Sequence, residues 1–130
     1  MKITHFDPAR ELIWIDAQIW GPRGLKPLKL VVDTGAAMTL VIPDVLDDLG
    51  YSPRDGESRT TVTASIGKEP GYTIRVQQFS ALGFRCSSFL VHAFDLADAA
   101  GLDGLIGLDY LKQFNYEVRS AEGRILVERV

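Results

Sequence analysis

An acid, a hydroxyl and a glycine stand side by side at Asp33-Thr34-Gly35, directly after the apolar run Leu30-Val31-Val32. A carboxylate at that point leaves a buried strand where the backbone turns, so it is held rigidly and still faces a cleft. A group so placed suits general acid–base work, for which reach matters before acidity. Thr34 adds a short hydroxyl that both donates and accepts. Gly35 lets the chain turn sharply and lets another backbone or a substrate come close. By itself the tripeptide also reads as an ordinary Asp-containing turn, and the rest of the chain has to decide between the two.

Other chemistries find less support. Ser65, Ser80, Ser87 and Ser88 sit in no nucleophile-elbow pattern. Cys86 has small polar neighbours in a strand-like run and no reactive motif, so it reads as a structural thiol. His5 and His92 are far apart, and no Cys/His spacing resembles a metal site. No metal and no other cofactor is expected. Asp47-Asp48 reads as a solvated helix face, and Asp103 and Asp109 read as turn and cap residues.

The totals narrow the class. At 130 residues the chain suits one domain, 1–130, with an adequate core. Fourteen Lys and Arg stand against 17 acids, a formal net charge of -3, which gives no electrostatic case for nucleic acid or an anionic membrane. No apolar run approaches a membrane span, and the start of the chain lacks the apolar block of a secretory signal. The single cysteine cannot form an intramolecular disulfide, which fits a reducing compartment; the expectation is a soluble cytoplasmic protein.

The elements that must position Asp33 are mostly strands. Between Glu11 and Trp20 the residues alternate, with Ile13, Ile15, Ala17 and Ile19 on one face and Trp14, Asp16, Gln18 and Trp20 on the other. A turn at 21–24 and a return strand from Leu28 to Val32 make a hairpin that delivers Asp33 at its far end. Thr39 to Ile42 reads as a short strand. A short helix follows from Pro43 to Gly50, with Val45, Leu46 and Leu49 as its buried stripe. The spacing predicts a long hairpin over about 59–82, with strands Arg59–Ile66 and Tyr72–Leu82 and its tip at Gly67-Lys68-Glu69-Pro70-Gly71. Phe84 to Phe94 is another strand, and Leu96 to Ala100 is helical or irregular. Gly104-Leu105-Ile106-Gly107 is a very short buried strand between glycines, and Leu108, Leu111 and Phe114 then fit helical spacing. Strands at Glu117–Ser120 and Arg124–Val130 close the chain. The fold class is mainly β: a small, closed, barrel-like fold with one or two short helices.

Two features now stand together: Val32-Asp33-Thr34-Gly35-Ala36 early, and Asp103-Gly104-Leu105-Ile106-Gly107-Leu108-Asp109-Tyr110-Leu111 late, with a glycine-bearing hairpin between them. This ordering resembles the retropepsin-like aspartic proteases, the single-domain relatives of pepsin, from about Glu11 onward. The late segment is similar to the cellular and bacterial branch. The resemblance implies the acid protease fold and a role for each matching residue. Asp33 would be the catalytic acid and base, Thr34 would hydrogen-bond across a subunit interface beneath it, and Gly35 would let substrate backbone approach. Leu105, Ile106 and Gly107 would brace the active-site loop from behind. The hairpin would be a flap over bound peptide, with Ala36, Ile66, Gly67, Gly71 and Tyr72 at the substrate.

Physical chemistry reaches the same mechanism. Two carboxyls sharing one proton can hydrolyse a peptide bond without metal or covalent nucleophile. The chain has one Asp-Thr-Gly and is too short for two such lobes, so the second carboxyl must come from a second copy in a symmetric homodimer. An extended peptide or protein substrate would lie in the groove between subunits. The expectation is thus an aspartic endopeptidase in which paired Asp33 carboxyls activate a water. The rival is a non-catalytic peptide-binding or assembly module on the same fold, which has no need of the acid.

Overall fold

The computed structural model describes residues 1–64, 67–96 and 101–130, with 58–64 and 67–70 described by their backbone alone. In chain order the strands and helices are β1 (Lys2–His5), β2 (Trp14–Gly21), β3 (Gly24–Val32), β4 (Leu40–Val41), α1 (Pro43–Asp48), β5 (Ser58–Ala64), β6 (Gly67–Ala81), β7 (Phe84–Ala93), β8 (Gly104–Ile106), α2 (Leu108–Leu111), β9 (Phe114–Arg119) and β10 (Arg124–Arg129). A single 3-10 turn, Pro53–Asp55, lies between α1 and β5.

The alternation in β2 is realised as read. Ile15, Ala17 and Ile19 are buried, while Asp16 and Gln18 are exposed. β3 pairs with β2 antiparallel from Trp14 opposite Val31 to Gly21 opposite Gly24. The return strand therefore begins at Gly24, four residues before the expected start. Pro27 is tolerated inside it: β8 joins that flank of β3 only from Leu30 onward. The sheet then runs β2-β3-β8-β4-β7-β6-β5, and β6 pairs back onto β2 through Ser80, Phe79 and Gln78. That second pairing closes six strands into a barrel and leaves β5 outside the ring.

The barrel interior is filled from every strand: Ile19, Leu28, Leu30, Val41, Ile74, Val76, Phe79, Val91 and Ile106 are all essentially inaccessible. Burying one such side chain contributes roughly 1.5–3 kcal/mol. Helix α1 starts with Pro43 in its first turn and covers one opening with Val45, Leu46 and Leu49, the stripe expected of it.

A second sheet, β1-β10-β9, packs its inner residues Ile125, Val127 and Phe114 onto the same core. Aromatic rings fill the seam between the two sheets. Tyr110 has Phe79 at 5.3 Å, Phe89 at 5.6 Å and Phe114 at 5.2 Å between ring centroids, within the range in which offset and edge-on pairs attract. The two tryptophans carry arginines on their faces, Arg10 at 4.1 Å from Trp14 and Arg85 at 4.4 Å from Trp20. A guanidinium at that distance over a ring is attracted by the ring's electron-rich face.

Several boundaries differ from the sequence reading. The hairpin pairs from Ser58 opposite Thr73 up to Ala64 opposite Gly67, so residues 67–71 are strand and not tip. Glycines and a proline at 67–71 suggested a turn, yet cross-strand pairing carries them in an extended conformation; a residue's permissiveness does not oblige it to turn. Phe114 opens β9 instead of continuing α2, because the chain leaves the helix at Lys112 and the ring is needed in the aromatic seam. β1 was not anticipated: four residues with one inward contact carry no periodic signal, and they form a strand by pairing with β10. Residues 97–100 of the expected 96–100 segment lie outside the described residues.

Candidate active site

The site is built where β3 ends. Val31 and Val32 run parallel to Leu105 and Ile106, so β8 lies directly beside the strand that carries the acid. The Asp33 amide donates to the Ile106 carbonyl at 2.9 Å, which continues the ladder one residue past the strand. Beyond it the chain turns: the Ala36 amide donates to the Asp33 carbonyl at 3.2 Å. Asp33 Oδ1 accepts the Gly35 amide at 2.8 Å. One carboxylate oxygen is thereby oriented by its own loop. Asp33 itself is half-buried, while Thr34 and Gly35 are exposed. Among the described residues no cation pairs with Asp33.

The loop after Asp33 is held by α2. The Leu108 amide donates to the Ala36 carbonyl at 2.8 Å and the Asp109 amide to the Ala37 carbonyl at 3.1 Å. A helix start leaves its first amides without internal partners, and here the loop carbonyls supply them in place of a side-chain cap. Gly107 is required by this approach. A Cβ there would stand 2.5 Å from the Met38 carbonyl oxygen and 2.8 Å from that of Ala36. Gly104 meets the same constraint one strand away, where a Cβ would lie 2.0 Å from the Leu40 carbonyl oxygen. Ile106 is fully buried and Leu105 half-buried between Val31 and Leu40. The segment 104–107 therefore lies against the Asp33 loop, the position expected of the bracing residues.

The residues expected at the substrate divide. Ala36 is half-buried in the loop itself. Gly67 and Gly71 lie in β6, opposite Ala64 and Thr60. Ile66 is outside the described residues. Tyr72 is 7% exposed and packs with the core. Burial pushes the pKa of its hydroxyl up, and that hydroxyl has no hydrogen-bond partner among the described residues.

One pair at the site was not legible in the sequence. Thr39 and Asp109, 70 positions apart, meet through two hydrogen bonds: Thr39 Oγ1 donates to Asp109 Oδ1 at 2.6 Å and the Thr39 amide to Oδ2 at 3.0 Å. Asp109 is accordingly a clamp on the loop; it stands in the first turn of α2, where an acid is also favourable, and Gly107 holds the cap position. No local pattern signals a contact at that separation.

Two hollows, of about 370 Å³ and 390 Å³, lie on the β2–β3 hairpin, reaching Ser80–Gly83 in one case and His5, Asp7 and Arg10 in the other; Asp33 lines neither. Among the described residues no group of three His, Cys, Asp or Glu is placed to hold a metal ion.

A family model described as aspartyl protease matches residues 15–110, which spans the barrel, the Asp33 loop and α2. The chain belongs to the aspartyl protease family. Its fold is that of solved retropepsin-like proteins. A retropepsin-like aspartic protease from Rickettsia conorii superimposes with a TM-score of 0.70 at 19% identity, covering 95% of this chain and 96% of that one. The retroviral protease-like domain of a Leishmania major protein gives 0.59 at 17% identity, covering 92% and 90%. EIAV protease, complexed with the inhibitor HBY-793, gives 0.57 at 18% identity, covering 80% and 88%. No curated protein sequence matches the chain. As a member of the aspartyl protease family with an intact Asp-Thr-Gly, the chain keeps the acid on a loop held by both β8 and α2.

Proposed function

We propose that the protein is an aspartic endopeptidase acting as a homodimer, in which two Asp33 side chains, one from each copy, share a proton and activate a water against a peptide carbonyl. The observation that carries this reading is the seating of Asp33: half-buried, one oxygen held by the Gly35 amide, its own amide fixed to Ile106, and no cation beside it among the described residues. A carboxylate held this firmly and left uncompensated suits a partner of the same kind, since two such groups at contact distance keep one proton between them. The ionised one takes the proton of the attacking water while the protonated one hydrogen-bonds the scissile carbonyl.

The exposure of Thr34 and Gly35 supports their use at the subunit contact and beneath the substrate backbone. The β5–β6 hairpin, whose β5 lies outside the closed ring, supports the flap assignment, with Gly67 in its last described pair and Gly71 opposite Thr60; Ile66, assigned to the flap with them, lies outside the described residues. Domain 1–130 acts as the whole catalytic half-unit on this reading. A cytoplasmic setting suits the lone Cys86, whose thiol burial pushes up in pKa and so makes less reactive. Among the described residues no helix is long and apolar enough to cross a membrane.

The test is cleavage of a mixed peptide library by the parent and by Asp33→Asn. Cleavage by the parent that Asp33→Asn abolishes is the expected result. Equal cleavage by both overturns the aspartic mechanism, and cleavage by neither favours the non-catalytic peptide-binding module.

A further inference from the structure

We propose that Asp109, acting through Thr39, is the residue that sets the position of Asp33; it touches no substrate and is a positioning residue. The inference rests on the aspartic-protease reading of Asp33 and adds to it a device that neither the Asp-Thr-Gly nor the Leu-Ile-Gly segment contains.

The loop from Asp33 to Thr39 has two ends. At the first, Asp33 is the last rung of the β3–β8 ladder. At the second, Thr39 is wholly buried (0% exposed) with every polar atom engaged. Its amide and hydroxyl both donate to Asp109, at 3.0 Å and 2.6 Å. The hydroxyl oxygen accepts the Gly107 amide at 3.2 Å, and the carbonyl accepts the His92 amide at 3.0 Å. Asp109 Oδ1 also accepts the Tyr110 amide at 2.8 Å. The carboxylate thus receives three hydrogen bonds, two of them from one residue of the loop, and bonds to an ionised acceptor are the short, strong kind.

The intermediate anchors lead to the same element. Ala36 and Ala37 are held by the amides of Leu108 and of Asp109 itself. Every grip on the loop beyond Asp33's own ladder bond therefore passes through β8, α2 or β7. Releasing the Thr39 hydroxyl loosens the far end, so the loop shifts about Asp33 and its ladder bond opens more often, while the barrel stays folded. Two carboxyls that must share one proton across a dimer tolerate little tilt; a misplacement of about 1 Å at a catalytic group can cost 10²-fold in rate.

The experiment compares Thr39→Val, which keeps shape and loses the hydroxyl, with Thr39→Ser, which keeps the hydroxyl, and with Asp109→Asn. Two readouts are taken: kcat and KM on a cleaved peptide, and amide hydrogen exchange at Asp33, Gly35, Leu108 and Asp109 in the full chain. Expected for Thr39→Val is a fall in kcat of about 10- to 100-fold with KM within about twofold, and exchange at Asp33 and Gly35 faster by at least about tenfold. Amides of Ile19 and Phe79 in the barrel should not change. Thr39→Ser should restore both readouts, and Asp109→Asn should fall between. Unchanged kcat, or unchanged exchange at Asp33 and Gly35, in Thr39→Val overturns the inference. So does a loss that appears equally in kcat, KM and barrel exchange, because that is general destabilisation. If Thr39→Val does not fold, Asp109→Asn decides by the same criteria. If the parent cleaves nothing, the proposed function is what has failed, and the exchange comparison alone decides whether Asp109 positions Asp33.

Discussion

The amide of Asp33 donates to the carbonyl of Ile106 at 2.9 Å, one residue before Gly107. Seventy-three positions of sequence separate the two ends of that bond, yet it makes the acid-bearing loop and the late glycine strand a single unit. Gly107 sits where the loop folds back over β8, and a side chain there would run into the Met38 and Ala36 carbonyls. Both obstacles are backbone, so they cannot swing aside. Gly107→Val is expected to lower stability by about 1–3 kcal/mol through overpacking, and to displace Asp33 as well. Urea unfolding of parent and variant measures the first effect and peptide cleavage the second. Parental values in both would show that the loop gives way freely.

Tyr110 pins the other side of α2. Its hydroxyl lies 2.7 Å from the Ala81 carbonyl and 2.8 Å from that of Phe84, and it accepts the Ala81 amide at 3.3 Å. The residue is completely buried, and burial is the main reason its pKa is pushed up. Tyr110→Phe removes the oxygen and its hydrogen bonds to those turn groups, at a cost of about 0.5–1.5 kcal/mol. The sign of the pH effect follows. A raised folded-state pKa means the folded chain keeps a proton that the unfolded chain releases. The stabilisation is complete below the ordinary tyrosine pKa of ~10 and is lost as pH rises above it. Tyr51 and Tyr72 shift in the same direction, again chiefly by burial. Chemical unfolding from pH 8 to 11 should show stability falling, with a smaller slope in Tyr110→Phe. Equal slopes would mean that Tyr110 does not titrate with unfolding.

The β5–β6 hairpin should respond to a ligand. Its paired residues from Ser58–Thr73 to Ala64–Gly67 extend from a strand that is not part of the closed ring. On the proposed function, a peptide-like inhibitor with a hydroxyl in place of the scissile amide should slow amide exchange at Gly67 to Gly71 by about tenfold or more. β2 and β3 should exchange as before. No change in the hairpin, at an inhibitor concentration that blocks cleavage, would remove its assignment as a flap.

What the sequence made legible follows from the range over which each signal acts. Alternation in β2 and the run before Asp33 are local, and both elements appear with the expected faces. Proline at the start of α1 and glycine after it bound that helix for the same reason. The hairpin register was misread because Gly67, Pro70 and Gly71 permit a turn without requiring one; the choice belongs to the pairing partner 58–64. Tyr72, which the resemblance put at the substrate, stands opposite Ala93 and is buried with the core, a packing that its own segment does not announce. Barrel closure by β2–β6 and the Thr39–Asp109 clamp are contacts between distant segments, and no property of either segment alone announces the other.

On the proposed function, the last expectation ties assembly to pH, since one Asp33 per chain makes site and interface inseparable. Assembly brings the two carboxylates together, and two such charges at contact distance are costly enough that the pair retains one proton. The dimer therefore binds more protons than two monomers, so by linkage it is favoured as pH falls and weakened as pH rises through the value at which that shared proton leaves. Cleavage should rise on mild acidification, as more dimer forms and more of it is singly protonated, and fall again in stronger acid once no carboxylate remains to act as base. His92 works against this at the acid end. Burial lowers its pKa, so the folded chain holds it neutral while the unfolded chain protonates it, and the stability this represents is lost as pH drops below ~6.5. Asp33→Asn removes the repulsion and keeps His92, which separates the two effects: its dimer should be at least as tight as the parent's and insensitive to pH between 6.5 and 8, while its acid unfolding should match the parent's. Sedimentation of both proteins across that range measures the difference. A parent dimer that tightens with rising pH, or an equal pH response in Asp33→Asn, would mean that the two acids never meet.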